Sequence, residues 1–338
     1  MYKLEFTLKQ HTPIIHFQHD QDGATLRATE VKPKLDRFLI EKLKMLDGNS
    51  KPKNEFKSWF INEGKEHHAL DYKIRIESIE SSICKDANYT ENNQGKFRPN
   101  FPCIFGNVET KNEWHYLTWT NVIDLSIQCY DVNLKDKICT QINSFLLLNS
   151  FGFRQSKGFG SYYLIESSNH YIRPINKYHF SVDVSGIPDD FTKYTKLFKV
   201  IDLFYKTLRS GINTSNFGGI YFKSLMFMYA KSENFKQQWD KRTIREHFYQ
   251  DHPTYRDVKG RRINDSNGTV HYDKGRNGNM LFRDLMGLST EQDWMKYGKM
   301  KKDKNGQVSY GTDLITKSAL NGDIDRFKSP ITFKPIKR

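Results

Sequence analysis

Residues 145–166, with the sequence FLLLNSFGFRQSKGFGSYYLIE, place the end of a helix, a basic loop with glycines and the start of a strand next to one another. Upstream, apolar residues recur at the spacing of one helix face: Leu134, Ile138, Ile142, Phe145 and Leu146. Gly152 is expected to end this helix, because glycine readily takes the left-handed conformation found there. Downstream, Tyr162, Leu164 and the β-branched Ile165 are typical of a strand.

Residues 151–160, called the glycine loop below, combine positive charge, an aromatic ring and small residues. Gly158 and Gly160 let the backbone approach a partner closely, Arg154 and Lys157 carry charge, and Phe159 offers a flat face. This combination suits a nucleic-acid backbone with an unstacked base. A nucleotide P-loop is excluded, because that motif runs from a strand into a helix. A tight helix-to-strand connection with two exposed cations remains an equally good interpretation.

The charge balance points to a polyanionic partner. The 338-residue chain has a formal net charge of +14, which favours binding to RNA, DNA or a membrane surface. No apolar run is long enough to span a bilayer, and the N-terminal MYKLEFTLKQ lacks the apolar core of a signal peptide. The cysteines have no metal-binding spacing, which fits a reducing cytosol. We therefore expect a cytoplasmic protein without membrane, metal or cofactor.

The pattern in the first half of the chain predicts a strand, a helix, further strands, a helix and a strand. The strand signal over 2–17 is interrupted at Pro13, and a helix from Thr29 to Leu46 follows, with Thr29 as the expected N-cap. Further strands are expected at 71–80, 101–108 and 113–130, followed by the helix over 132–151. This βαββαβ order is that of a ferredoxin-like or RRM-like domain, whose two helices pack on one face of an antiparallel sheet.

The second half mixes helices, strands and basic loops. After an expected linker over 168–177, we predict these segments in order: a strand at 180–184, a helix at 191–208 ended by Gly211, a strand at 220–229, a charged helix at 233–250, a basic loop at 256–276, a helix at 280–294, a basic run at 296–304 and a last strand at 329–338. The predicted fold class is α+β, with tandem ferredoxin-like (RRM-like) domains that carry helical and loop insertions. The predicted domains are residues 1–175 and 176–338.

Two motifs resemble a known family. The spacing of Gly152, Gly158, Phe159 and Gly160 resembles the glycine-rich loop of the RAMP superfamily, the RNA-binding proteins of CRISPR systems. In that superfamily the loop follows the second helix of a ferredoxin-like domain and touches RNA. The N-terminal pairs resemble one group within it, the first subunits of the Cmr (type III-B) effector complex: Thr12-Pro13, Asp22-Gly23, Leu26-Arg27 and Val31-Lys32, followed by Leu35.

The resemblance implies an RNA-binding, non-catalytic subunit of a type III CRISPR effector in antiviral defence. Its expected partners are the guide CRISPR RNA near the 3′ end, the target RNA and other RAMP subunits. Cations would neutralise phosphates, and the aromatic ring would stack on a base. The predicted RNA-binding residues, at the start of the first helix and in the glycine loop, are Arg27, Lys32, Lys34, Arg37, Arg154, Lys157, Gly158, Phe159 and Gly160.

Two other functions stay open. RAMP relatives include metal-independent CRISPR RNA-processing endoribonucleases, for which His16 or His19 could act as the general base or acid. Those enzymes usually carry the glycine loop near the C-terminus, whereas here it lies in the middle of the chain. The third possibility is a basic scaffold that contacts only protein partners.

Overall fold

The computed structural model divides into two compact units, Met1–Asp202 with Thr332–Arg338 and Leu203–Ile331. It describes residues 1–15, 25–61, 68–79, 83–86, 89–91, 97–99, 101–103, 116–120, 122–165, 178–214, 220–232, 270–272, 282–286, 291–302, 308–319 and 329–335. The linker predicted at 168–177 lies outside these residues, so the domain boundary at 175/176 stays a prediction.

The first unit contains both expected helices and strands within the segments expected at 2–17, 71–80, 113–130 and after the glycine loop. Of the strand expected at 101–108, residues 101–103 form a turn and the others lie outside the described residues. In chain order its elements are β1 Tyr2–Gln10, α1 Ala28–Lys42, β2 Tyr72–Ser78, β3 Ile83–Asp86, β4 Tyr89–Glu91, β5 Phe97–Pro99, β6 Tyr116–Trp119, β7 Ile123–Cys129, α2 Val132–Leu148, β8 Tyr162–Leu164 and α3 Asp190–Arg209, whose last residues belong to the second unit. Short 3-10 turns lie at Asn54–Trp59 and Gln155–Lys157.

The central sheet has four antiparallel strands in the order β2-β7-β1-β8. Leu125 in β7 lies opposite both Phe6 and Ile76, and Leu8 in β1 lies opposite Leu164. Alternate residues of β7 are buried, as expected for a sheet with one face against the core. Taken with α1 and α2, the strands follow the predicted order β-α-β-β-α-β.

Helices α1 and α2 bury their apolar stripes in the same core as the inner face of this sheet, which confirms that both pack on one side of it. The buried apolar residues of the two helices are Val31, Leu35, Leu39, Ile40, Leu134, Ile138, Ile142, Phe145 and Leu146. Asp131 caps α2 by accepting hydrogen bonds from the backbone N–H groups of Asn133 and Leu134. The N-cap of α1 is Arg27 and not Thr29 as predicted, and no side chain caps it.

Two predictions for the first unit were wrong. Helix α2 ends at Leu148 with Asn149 as its C-cap, so Gly152 does not end it. Residues 180–184 form no strand, since they have no ladder partner among the described residues.

The described residues of the second unit form two sheets. Its elements after α3 are β9 Ile212–Thr214, β10 Ile220–Phe222, α4 Leu225–Ala230, β11 Val270–Tyr272, β12 Glu291–Lys302 and β13 Val308–Ala319, with a 3-10 turn at Phe282–Met286. Strands β9 and β10 pair antiparallel, while β13 pairs antiparallel with β12 and parallel with β11. The described residues therefore show a mixed α+β unit, and its expected ferredoxin-like order stays a prediction.

Several local predictions for this half were wrong. The strand expected over 220–229 stops at Phe222, and Ser224 then caps α4. The helix expected over 280–294 is replaced by the 3-10 turn and by the start of β12. Residues 329–335 form no strand, and the predicted helix at 233–250 lies outside the described residues. No described helix is long and apolar enough to cross a membrane.

Candidate nucleic-acid interface

The glycine loop is closed at its base by its own backbone. The N–H of Phe151 donates to the carbonyl oxygen of Gly160 at 2.9 Å. Gly160 has a φ of +64°, and a Cβ on it would clash with the carbonyl of Phe151. Only glycine satisfies both the backbone conformation and the close approach. Gly160 therefore has a structural role that fixes the shape of the loop.

The Thr12-Pro13 pair is hydrogen-bonded to this loop and to the residue that follows it. The fully buried hydroxyl of Thr12 donates to the carbonyl oxygen of Gly158 at 2.6 Å and accepts from the N–H of Ser161 at 3.2 Å. The N–H of Gly160 donates to the carbonyl of Pro13 at 2.8 Å. The Thr12-Pro13 pair and the glycine loop, which both contribute to the family resemblance, are thus joined by hydrogen bonds.

Glu30, at the start of α1, also binds the glycine loop through its carboxylate. Glu30 Oε1 accepts from the N–H of Gly152 at 2.9 Å and from the Nζ of Lys34 at 2.8 Å. A Cβ on Gly152 would lie 2.5 Å from the carbonyl oxygen of Ile15, so glycine is needed here for close packing and not to end a helix. The glycine loop and the start of α1 are therefore adjacent.

Lys34 is committed to contacts within the protein. Besides Glu30, its Nζ donates to the carbonyl oxygen of Ser150 at 2.8 Å and lies 4.8 Å from the ring centre of Phe151. Its side chain is 25% exposed. In this arrangement Lys34 joins α1 to the chain just after α2, and contact with a phosphate would have to replace these bonds.

Lys32 has a similar structural role on the other side of α1. Its Nζ donates to Asp36 at 2.8 Å and to the carbonyl oxygen of Leu70 at 2.9 Å, and lies 4.1 Å from the ring centre of Tyr72. Desolvation, followed by the charge of Asp36, raises the pKa of the Tyr72 hydroxyl well above its usual value. Lys32 thus neutralises a buried carboxylate.

The remaining predicted cations differ in exposure. Lys157 is buried, at 5% exposure, whereas Arg27 and Arg154 are half-buried and Arg37 is exposed. Arg37 is one helical heptad beyond Glu30, which places it on the same face of α1 about 10 Å further along the axis. Among the predicted cations Arg37 is therefore exposed, Lys157 is buried, and Arg27, Arg154, Lys32 and Lys34 are half-buried.

Phe159 lies in the core, which corrects the interpretation of its ring as a stacking face. Its side chain is fully buried and stacks on Phe198 of α3, with ring centres 3.9 Å apart and planes 13° apart. Phe101 packs against both rings, at 6.1 Å from Phe159 and 5.5 Å from Phe198. A base could reach Phe159 only by displacing this packing. The exposed ring of the loop is instead Phe153, at 41% exposure.

Buried residues beneath the glycine loop also contact the first half of α3. Trp119 meets Tyr194 of α3 at 5.6 Å between ring centres. Cys103, in a left-handed conformation with φ of 66°, directs its thiol to the carbonyl oxygen of Phe198 at 3.2 Å. The inner side of the glycine loop is therefore supported by residues far from it in sequence.

A C-terminal segment, residues 332–335, also supports the loop. The N–H of Phe333 donates to the carbonyl oxygen of Ser156 at 3.0 Å, and the Nζ of Lys334 donates to the carbonyl oxygen of Asn149 at 2.6 Å. Burial, and to a lesser extent the charge of Lys34, lowers the pKa of Lys334 to about 7. The sequence carried no signal for this contact, because nothing local marks a segment that pairs with a distant loop.

The histidines provide no catalytic arrangement in the described part of the chain. His11 is buried, its Nδ1 lies 3.4 Å from the hydroxyl of Ser161, and its ring stacks on Tyr163. His16 and His19 lie outside the described residues, so their role as acid or base stays untested. The described residues include no cluster of three or more His, Cys, Asp or Glu side chains that could hold a metal ion.

Family models cover nearly the whole chain. The Cmr1 N-terminal domain matches residues 1–212, and the Cmr1 C-terminal domain matches residues 221–338. No curated protein matches the chain.

Two solved structures show limited similarity. One is a chain of the type III-B Cmr-beta complex bound to cognate target RNA, with 12% identity over 48% of this chain and 58% of that chain, and a TM-score of 0.30. The other is Cmr1 from Pyrococcus furiosus in its apo form, with 15% identity over 49% of this chain and 50% of that chain, and a TM-score of 0.32. The chain thus spans 50–58% of the length of these relatives.

Proposed function

Because the chain belongs to the Cmr1 family of type III-B CRISPR effector proteins, we propose that it is the RNA-binding, non-catalytic subunit of such a complex. Its ligands are the 3′ part of the guide RNA and the target RNA, and its protein partners are other RAMP subunits. Antiviral defence in the cytoplasm and a ferredoxin-like fold for both halves belong to the same proposal.

The observation that carries the proposal is the way in which the glycine loop is held. Thr12 and Glu30 fix it from two sides, while Phe159 fills the core beneath it. A loop fixed in this way loses little conformational freedom when it binds, which favours affinity. Its outer side carries Phe153 and Arg154, a ring and a cation suited to single-stranded RNA.

We assign direct phosphate contact to Arg27, Arg37 and Arg154, of which Arg37 is exposed and the other two are half-buried. Lys32 and Lys34 contribute instead by stabilising α1 and its neighbours, and Gly158 and Gly160 by shaping the loop. The buried Lys157 is not assigned a phosphate contact. The ring of Phe159 supports the loop from the inside.

The test is RNA affinity as a function of salt concentration. Fluorescence anisotropy with a short labelled single-stranded RNA should show a linear fall of log K with log salt for the full chain. Each arginine that contacts a phosphate adds about 0.7 to this slope, so Arg27→Ala, Arg37→Ala and Arg154→Ala should each flatten it by that amount. Lys73→Ala, on the exposed face of β2, is the matched control and should leave the slope unchanged.

The other candidate functions are outcomes of the same experiments. A chain that shows no salt-dependent RNA binding, and purifies without nucleic acid, would support the protein-only scaffold. Specific cleavage of a CRISPR-repeat RNA that is lost in His16→Ala or His19→Ala would support the endoribonuclease. No contact among the described residues favours either alternative.

A further inference from the structure

Phe153 stands out because the structure exposes a large aromatic side chain on a rigidly held backbone. The N–H of Phe153 donates to the carbonyl oxygen of Ile15 at 2.8 Å, and the preceding Gly152 is locked by Glu30. Its side chain is 41% exposed, whereas Phe151 and Phe159 of the same loop are fully buried. The loop therefore turns two of its three phenylalanines inward and leaves Phe153 at the surface.

The next residue has an unusual backbone conformation. Arg154 has φ of 57° and ψ of 29°, the left-handed region that residues other than glycine rarely adopt. Its carbonyl oxygen accepts from the N–H of Lys157 at 2.8 Å, which holds the turn. Such conformations persist where surrounding contacts impose them, and they are concentrated at ligand-binding sites. The turn fixes the direction in which the chain leaves Phe153.

We propose that Phe153 and Arg154 together form a site for one nucleotide of single-stranded RNA, in which the Phe153 ring stacks on an unpaired base and Arg154 contacts the adjacent phosphate. This inference rests on the proposed RNA-binding function and specifies how the loop takes part in it.

The chemistry selects an unpaired base. A ring that projects from a loop can stack only on a base whose face is not already covered by its neighbours, as in a single strand or a splayed-out position. The stacking face is the same for all bases, so the site accepts any sequence. The site should therefore distinguish single-stranded from double-stranded RNA and not one base from another.

The first measurement compares affinities of full-length variants for a short single-stranded RNA. Phe153→Ala should weaken binding by roughly 5- to 150-fold, the range for loss of one stacked base, and leave the salt slope unchanged. Phe153→Trp should retain wild-type affinity, because it keeps an aromatic face, whereas Phe153→Leu should behave like Phe153→Ala. Tyr130→Ala is the matched control, since Tyr130 is also exposed but lies beyond the end of β7.

A spectroscopic measurement reports on stacking directly. An RNA with one 2-aminopurine should lose fluorescence on binding the wild-type chain, and part of this quenching should disappear with Phe153→Ala while Tyr130→Ala preserves it. A duplex RNA of the same length should bind both wild type and Phe153→Ala with equal affinity, because it offers no unpaired base.

The outcomes separate this inference from the proposed function. If wild type fails to bind RNA, both the proposed function and the nucleotide site are wrong. If wild type binds RNA but Phe153→Ala binds with unchanged affinity and unchanged quenching, the nucleotide site is wrong while the proposed function stands. If Phe153→Leu binds as tightly as Phe153→Trp, the contact is not aromatic stacking and the inference is likewise overturned.

Discussion

The Thr12 hydroxyl lies 2.6 Å from the carbonyl oxygen of Gly158, across 146 positions of sequence. The bond connects the end of β1 to the glycine loop at a point where both residues are buried. Because the same oxygen also accepts from the N–H of Ser161, one side chain positions both the turn of the loop and the start of the following strand. The shape of the candidate RNA site therefore depends on a residue that is itself inaccessible to RNA.

Thr12→Val tests this dependence, because valine has nearly the shape of threonine but lacks the hydroxyl. We expect the free energy of unfolding to fall by about 1–3 kcal/mol, since the carbonyl of Gly158 and the N–H of Ser161 lose a buried partner. Urea denaturation measures the change. Thr7→Val is the control, as the hydroxyl of Thr7 makes only a long, exposed bond to Asp124, and an equal loss in both variants would contradict the special role of Thr12.

Phe159→Ala should act on stability, in contrast to Phe153→Ala. Removing a fully buried ring that stacks on Phe198 should lower the free energy of unfolding by about 3–5 kcal/mol. Phe153→Ala should change it by no more than about 0.5 kcal/mol, since the ring is at the surface. Denaturant titration of the two variants measures both values. Similar midpoints would contradict the burial of Phe159 and the exposure of Phe153.

Gly160→Ala should disrupt the base of the glycine loop. The new Cβ would clash with the carbonyl of Phe151, and φ of +64° is itself unfavourable for alanine. We expect a strongly destabilised or unfolded chain, visible as a lowered thermal midpoint or loss of soluble protein. Gly48→Ala is the matched control, because nothing lies within 4 Å of its added Cβ. A normal thermal midpoint for Gly160→Ala would contradict the observed closure.

Lys334 should make stability depend on pH. Burial lowers its pKa in the folded chain from 10.5 to about 7, so between these values the unfolded chain binds the additional proton. The free energy of unfolding should therefore rise with pH in that window, by up to about 1.4 kcal/mol per pH unit from this group, and the cost of charging the buried amine is fully present below pH 7.

Lys334→Met should flatten that pH dependence. Urea denaturation at several pH values between 7 and 10.5 measures the slope for wild type and variant, and their difference isolates this group from others that titrate. Lys57→Met is the control, because Lys57 is exposed on the Asn54–Trp59 turn. Parallel curves for wild type and Lys334→Met would show that the amine is not desolvated in solution.

Local pattern was sufficient to predict α1 and α2. Their apolar residues, such as Leu35 and Ile138, recur on one face, and this periodicity can be read from each helix's own sequence. The order of the strands followed from alternation in β1, β2 and β7. These features need no knowledge of what lies opposite them.

The local sequence could not show that Phe153 is exposed and Phe159 is buried. Phe153 and Phe159 both follow a glycine and both lie in a segment without period, so the sequence around them is nearly equivalent. What distinguishes them is Phe198 of a later helix, which covers one and not the other. The helix expected at 280–294 failed for a related reason, since pairing between β12 and β13 outweighs local preference.

The contact between residues 332–335 and the glycine loop also imposes an order on biosynthesis. The loop leaves the ribosome long before Phe333 and Lys334 are translated, so a nascent chain that already contains β1, α1 and α2 still lacks the partners of Ser156 and Asn149. The loop reaches its final form only after the second unit has been made. Residues 332–335 must therefore be translated before the glycine loop can form all the hydrogen bonds described here.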